Sequence, residues 1–362
     1  MSAGANLHEA HLRRALKLAE LGLYTTDPNP RVGCVIAHGE RMLGEGWHVR
    51  AGEPHAEVLA LKAAGQRARG ADVYVTLEPC SHTGRTPPCA DALIAAGVAR
   101  VWCCTSDPNP RVAGSGIERL RAAGIEVSVG ALGEQARALN PGFFSRFERG
   151  RPYIRLKMAM SLDARTAAAK GGQVWISGEA ARADVQTWRA RSSAVLTGAG
   201  TVRCDDPQLN VRLNYGPWVR QPLRVVLDTE LRLSRAAQVF RGGGALTFAA
   251  LDAKGGGELR LERVPRAAGG LDLDAVVARL AALEINELML ECGATLAGGF
   301  LAQGLVDELV LYMAPGLMGE DAAPLAHLHA ADAAAQLTRK FVFSDVRTIG
   351  DDVRLVLTSR KH

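Results

Sequence analysis

Apolar residues fall at helical spacing near the start of the chain, at Leu12, Ala15, Leu16, Ala19 and Leu23, and Gly22 stands where such a helix stops. The rhythm then changes. "VGCVIA" and "MLGEGW" are short apolar runs flanking "HGER", which predicts a hairpin. "EPHAEVLALKAAG" predicts a helix with Pro54 near its start and Gly65 at its end. Beyond it the pattern alternates: strand "DVYVTLEP", helix "PPCADALIAAG", strand "RVWCCT", helix "GIERLRAAG", strand "IEVSVG". Residues 1–130 therefore predict a small α/β sandwich.

A polar, basic stretch, "NPGFFSRFERGRPY" at 140–153, precedes a new apolar run. It places a boundary near 148, giving domains 1–147 and 148–362. In the second, "YIRLKMAMS", "AVLTG", "LRVVLD", "ALTFAA", "ELMLEC" and "ELVLYMAP" predict strands. "EAARADVQTWRARS", "DLDAVVARLAAL" and "TLAGGFLAQG" predict helices among them, hence an α/β domain with a largely parallel sheet. The glycine-flanked stretch 242–258 predicts variable surface loops. "DPNPRV" occurs at 27–32 and again at 107–112, and predicts two similar turns on one rim of the first sheet.

Composition narrows the class. The 362 residues are 48% hydrophobic and 22% charged, a soluble globular balance in a length that suits two domains. A formal charge of +5, spread without runs, fits anionic small molecules and gives no argument for nucleic acid. No run reaches eighteen apolar residues and the N-terminus has no signal-peptide core, so the expectation is a cytoplasmic protein with no membrane partner. Seven scattered cysteines predict free thiols in a reducing compartment.

Two of those thiols change the picture. "TLEPCSHTGRTPPC" sets Cys80 and Cys89 eight residues apart, and "PHAE" supplies His55 and Glu57 upstream. One His and two Cys suit Zn²⁺, and three protein ligands leave a fourth position for water, the catalytic arrangement. His55 and Cys89 each open a predicted helix, whose positive end favours thiolate. A lone His-x-Glu or a single cysteine means little, and Cys34, Cys103, Cys104 and Cys292 are assigned to packing. The joint pattern is the zinc nucleobase-deaminase signature, with a longer cysteine spacing. Its chemistry is attack of acidified water on an amino-bearing ring carbon, with Glu57 carrying the proton to the departing ammonia.

The wider motifs resemble the bacterial bifunctional riboflavin-biosynthesis deaminase/reductase family. "TDPNPRVGCVI", "GEPHAEVLAL", "YVTLEPCSHTGRTPPCADALIAAGV" and "DPNPRVAGSGI" look like its N-terminal half. "YIRLKMAMSLDARTA", "WISG", "TGAGTVRCDDPQLNVR" and "ECGATLAGGFL" look like its C-terminal half. The resemblance implies a cytidine-deaminase-like α/β/α sandwich followed by a dihydrofolate-reductase-like α/β domain. It implies deamination of 2,5-diamino-6-(5-phospho-ribosylamino)pyrimidin-4-one, then NADPH reduction of the ribosyl group to ribityl, in a homo-oligomer joined through the reductase halves. Carried over by motif, His55, Cys80 and Cys89 hold zinc and Glu57 is the acid/base. Asn29 and His48 line the pyrimidine pocket, and His82 and Arg85 contact the ribose phosphate.

In the second half the resemblance implies that Asp205 handles protons near the reacting carbon and contacts the cofactor. By the same resemblance Arg189, Leu209, Arg212 and Glu291 would bind substrate, the arginines by gripping phosphate. Ala159, Trp175, Thr201 and Thr229 contact NADPH, together with the run Gly293, Ala294, Thr295, Leu296, Ala297, Gly298 and Gly299, whose glycines would let backbone N–H groups cradle phosphate. Trp175 has core packing as its alternative. The chain departs from the family at Ala164, where glycine is usual, and at Gly178, Arg203 and Cys204, which bear on cofactor fit.

Two other readings compete. A tRNA-type zinc deaminase with a C-terminal RNA-binding module predicts a basic face rich in aromatics, against 5% aromatic residues here. A zinc-stapled scaffold predicts a fourth protein ligand and an idle Glu57.

Overall fold

In the computed structural model, which describes residues 3–82, 88–167, 175–214, 216, 219–329 and 341–360, the chain forms two units, Met1–Gly150 and Arg151–His362. The first unit holds α1 (Ala3–Glu20), β1 (Gly33–His38), β2 (Arg41–Trp47), α2 (Ala56–Ala64), β3 (Asp72–Val75), α3 (Cys89–Ala96), β4 (Arg100–Cys103), α4 (Ser115–Ala122), β5 (Glu126–Val129), α5 (Gly133–Leu139) and α6 (Pro141–Arg149). The sheet order is β2-β1-β3-β4-β5. β1 and β2 form the expected hairpin, with a register shift at Ile36/Ala37, and β3, β4 and β5 run parallel. Cys34, Ile36, Val73, Val75 and Val101 bury one face, and Val35, Ala37 and Tyr74 bury the other against Leu12, Ala15 and Leu16 of α1. The period-2 alternation of the strands thus feeds two helical layers.

α2 lies unusually close to the hairpin. A Cβ at Gly44 or Gly46 would stand 2.4 or 2.6 Å from the carbonyl oxygens of Ala60 and Ala56. Those two glycines let the helix that follows His55 rest directly on β2.

The stretch 140–153 is not the polar divider that its charge suggested. Residues 141–149 form α6, and Phe143 and Phe144 are buried with Leu77. Asn140 holds the first "DPNPRV" copy, accepting from the Arg31 N–H at 2.7 Å and donating to the Arg31 carbonyl at 3.0 Å. A basic outer face had masked an amphipathic helix.

The second unit comprises β6 (Tyr153–Met160), β7 (Arg165–Ala167), α7 (Glu179–Arg191), β8 (Ala194–Gly198), α8 (Ala199–Asp205), β9 (Leu223–Leu227), β10 (Ala245–Ala250), β11 (Arg260–Val264), β12 (Arg266–Ala267), β13 (Gly270–Leu271), α9 (Leu273–Ala282), β14 (Glu287–Glu291), α10 (Ala294–Ala302), β15 (Glu308–Met313), β16 (Ala323–Pro324), β17 (Phe341–Ile349) and β18 (Asp352–Ser359). Nine strands form one sheet in the order β11-β10-β9-β8-β14-β6-β15-β18-β17. All neighbours from β11 to β15 are parallel, and β18 and β17 close the edge antiparallel. Buried apolar clusters cover both faces, as a parallel sheet requires. The stretch 242–258 is a surface loop only in part, because its centre is the buried strand β10. Arg155 lies fully buried in β6, where Glu287 and Glu308 share its guanidinium.

Candidate active sites

In the first unit the local folds of three segments bring the expected zinc ligands together. His55 is the N-cap of α2 and Cys89 is the first residue of α3. Cys80 sits in the irregular segment after β3. His55 Nδ1 lies 3.2 Å from Cys89 Sγ and 3.6 Å from Cys80 Sγ, and the three ligand atoms lie within 4.8 Å of one another. A tetrahedral Zn²⁺ with Zn–N about 2.0–2.1 Å and Zn–S about 2.3 Å sets N···S edges of roughly 3.5 Å, so the donor set fits the ion. The Cys80 thiol is held well below its ordinary value by the hydrogen bond from Cys89 and by His55, while Cys89 is pushed up. The pocket thus favours a thiolate before metal enters.

Glu57, two residues past His55, is buried in the first turn of α2, and burial raises its carboxyl above the usual range. A carboxyl raised towards neutrality is suited to taking and returning a proton. His48 stands edge-on to His55, with ring centroids 5.2 Å apart. Its Nδ1 faces the Pro54 carbonyl at 3.2 Å and its Nε2 faces Asn29 Nδ2 at 3.0 Å. Burial pushes His48 down to about 4, so it is neutral at pH 7. Nδ1 therefore donates to Pro54, Nε2 accepts from the Asn29 amide, and Asn29 Oδ1 is left for a ligand. His82 is exposed just beyond Cys80, and Arg85 lies outside the described residues. Among the described residues, His55, Cys80 and Cys89 are the metal-binding cluster.

In the second unit the expected cofactor residues gather at the C-terminal ends of parallel strands, where open α/β sheets bind ligands. Ala159 is near the end of β6, Thr201 is in α8 after β8, Thr229 follows β9, and Gly293 follows β14. The Gly293 N–H donates to Thr201 Oγ1 at 3.2 Å. Gly293 caps α10, so the first-turn residues Ala294, Thr295 and Leu296 present their N–H groups at its positive end.

The rest of that run does other work. Ala297 and Gly298 are buried, and a Cβ on Gly298 would stand 2.0 Å from the His327 carbonyl oxygen. Gly299 faces Leu273 at 3.4 Å. The expected glycine cradle is therefore confined to the first turn, because a glycine inside a helix turns its N–H into the helix rather than towards a ligand. Trp175 is not core: it is 63% exposed, with the Arg182 guanidinium 4.8 Å from its ring centre.

Glu291 ends β14 and stands opposite Lys157 of β6 in the parallel register. Arg189 of α7 holds Glu291 through two hydrogen bonds and donates a third to the Asn210 carbonyl. Its fork is thus directed at protein and not left open for phosphate. Arg212 is exposed and free to take that role. Leu209, expected to bind substrate, is instead buried in the core, at φ +53. Asp205 is exposed at the end of α8, with its carboxyl raised by partial desolvation. Lys157 was missed in the sequence. The available signal was a lone lysine in a strand that is otherwise mostly apolar.

Comparison with known proteins agrees with this division. The family model for the cytidine and deoxycytidylate deaminase zinc-binding region matches residues 5–105, and that for the RibD C-terminal domain matches residues 152–355. The chain is 48% identical to the riboflavin biosynthesis protein RibD of Escherichia coli (strain K12), over 96% of this chain and 98% of that protein. It superposes on Acinetobacter baumannii RibD with a TM-score of 0.91 at 42% identity, covering 98% of this chain and 99% of that one. A Thermotoga maritima diaminohydroxyphosphoribosylaminopyrimidine deaminase/5-amino-6-(5-phosphoribosylamino)uracil reductase gives 0.85 at 31% identity, with coverage of 98% and 99%.

Fold and site thus define a bifunctional enzyme: a cytidine-deaminase-like zinc deaminase followed in one chain by a dihydrofolate-reductase-like, NADPH-dependent reductase. The chain belongs to the RibD family of riboflavin-biosynthesis proteins. The RNA-editing alternative is not favoured, because the second half matches the RibD reductase domain. No helix among the described residues is long and apolar enough to cross a membrane.

Proposed function

We propose that the first unit deaminates the diaminopyrimidine ribosylamine phosphate and that the second reduces the ribosyl group of the product. The observation that carries the first step is the His55/Cys80/Cys89 triangle with buried Glu57 beside it. Zinc, when bound, lowers the pKa of the attacking water towards 7. Glu57 takes that water's proton and returns it to the departing nitrogen, so that water adds and ammonia leaves. Asn29 Oδ1 accepts from the pyrimidine, with neutral His48 fixing the amide's orientation. His82 and Arg85 lie near Cys80 in sequence and serve the ribose phosphate.

NADPH, when bound, supplies the hydride of the second step. The first turn of α10 would hold its phosphates, and Ala159, Thr201 and Thr229 near the strand ends, together with Trp175, would contact it. Reduction opens the ribose ring, and the ring oxygen gains a proton. Lys157 and Asp205 handle that proton, and Glu291 holds the substrate, itself held by Arg189. Arg212 takes the phosphate. The protein is a cytoplasmic homo-oligomer in this reading. The test is a coupled assay on purified protein with the diaminopyrimidine substrate and NADPH. Ammonia release and NADPH loss are expected together; ammonia alone would overturn the assignment of the second unit.

A further inference from the structure

We propose that Glu78 is a positioning residue for the deaminase: its buried carboxylate braces the segment that presents Cys80 to the metal. The inference rests on the zinc reading above.

Two of the three ligands sit at helix starts, which fix their backbones. Cys80 sits in neither helix nor strand. Its neighbours are instead tied, one after another, to residues 105–119. The Glu78 N–H donates to the Thr105 carbonyl at 3.0 Å. The Glu78 carboxylate accepts four backbone N–H groups: Asp107 at 3.1 Å and Gly114 at 3.0 Å on Oε2, and Gly116 at 3.0 Å and Ile117 at 3.3 Å on Oε1. The Pro79 carbonyl presses on Gly116, where a Cβ would stand 1.9 Å from its oxygen. Ser81 Oγ meets Ser115 Oγ at 2.6 Å, and the Ser81 carbonyl accepts from Arg119 at 3.2 Å.

Residues before and after the ligand are therefore fixed to one element, the second "DPNPRV" turn and the start of α4. The carboxylate also lies at the positive end of α4 and satisfies N–H groups that no residue of the helix can reach. Glu78 is 3% exposed, so water does not replace these bonds if they are lost. The anchor against which Cys80 is held is therefore chiefly the start of α4, with the second "DPNPRV" copy contributing its Asp107 N–H. Hydrogen bonds that hold a metal ligand from behind orient it and tune the metal.

The test uses the full-length chain with Glu78→Gln, whose amide nitrogen cannot accept the N–H groups that an oxygen accepted. Ammonia release, chelator competition for zinc, and the visible and near-ultraviolet spectrum of the cobalt-loaded protein are read together. NADPH oxidation on the deaminated intermediate serves as an internal control. We expect zinc to be held roughly 10–100-fold less tightly, a changed thiolate-to-cobalt band, a lower deaminase kcat with little change in KM, and an intact reductase. Native zinc retention and a native cobalt spectrum in Glu78→Gln would overturn the proposal. If that variant fails to fold by hydrogen exchange, Ser81→Ala decides, since it removes one brace from a partly exposed position. A shifted cobalt band there supports the proposal, and an unchanged band refutes it. Wild-type protein that binds no cobalt and releases no ammonia would instead defeat the zinc reading itself.

Discussion

Arg189 grips Glu291 in a two-pronged pair, Nε to Oε1 at 2.5 Å and Nη2 to Oε2 at 2.8 Å. Both side chains are largely buried, so the pair acts as one unit. An arginine fork matches a carboxylate in a way that an ammonium cannot. Arg189→Lys should lower the reductase kcat at least 10-fold by letting Glu291 turn, with a smaller change in KM. Arg212→Ala should do the reverse, raising KM for the phosphorylated substrate. Steady-state kinetics on the deaminated intermediate separates the two, and a KM effect confined to Arg189 would return the phosphate to that residue.

Glu57→Gln keeps the shape of the buried side chain and removes its proton traffic. Ammonia release should fall roughly 10²–10⁴-fold. Zinc content and NADPH oxidation on the intermediate should hold at wild-type levels. Wild-type ammonia release with zinc bound would remove Glu57 from the reaction.

What could be read from the sequence follows from where each signal lives. His55, Glu57 and Cys89 were legible because reactive side chains stand beside proline-opened helix starts, and Cys80 because it follows Pro79 just past an apolar strand. The central strands were legible because β6, β8, β9, β14 and β15 are nearly continuous apolar runs. β17 was not, since as an edge strand it leaves most of its residues partly or fully exposed, including Phe343 and Val346, and shows no clean alternation. Gly298 looked like part of a phosphate loop because a glycine needed for close packing and one needed for ligand approach are the same letter. The engagement of Arg189 by Glu291 joins residues 102 positions apart, which no local pattern encodes.

Gly298 and Gly299 make that ambiguity testable. Gly298→Ala places a methyl against the His327 backbone carbonyl, which cannot swing aside as a side chain can. Overpacking of this kind costs about 1–3 kcal/mol. Gly299→Ala meets only the tip of Leu273, and alanine favours a helix interior, so stability should hold or rise by up to about 1 kcal/mol. Urea denaturation of the two variants decides. Equal, small effects would mean that α10 is free to shift and that Gly298 is not a packing constraint.

Ala164 adopts φ +56 in the turn after β6, where its N–H donates to the Ser161 carbonyl at 3.0 Å. Asp163 beside it accepts from the Met318 and Gly319 N–H groups, which pins the turn in place. A Cβ in the left-handed region is strained, and glycine is not. Ala164→Gly should therefore raise stability by up to about 1 kcal/mol, the strain relieved exceeding the added freedom of the unfolded chain. A lower urea midpoint would show that the turn accepts alanine without strain.

Lys157 offers a test through pH. Burial lowers its ammonium below the ordinary 10.5, although Glu291 opposes that shift. Glu291 in turn is held below its usual value by Arg189 and Lys157, against its burial, and so stays anionic at neutral pH. An ammonium with a lowered pKa gives up its proton earlier as pH rises. If the protonated form acts on the substrate, the reductase kcat/KM should decline on an alkaline limb centred below the ordinary 10.5. Lys157→Arg keeps a positive charge that does not titrate in this range. That variant should have a reduced kcat with the limb abolished. The same limb in Lys157→Arg would assign it to another group and leave Lys157 a purely electrostatic partner of Glu291.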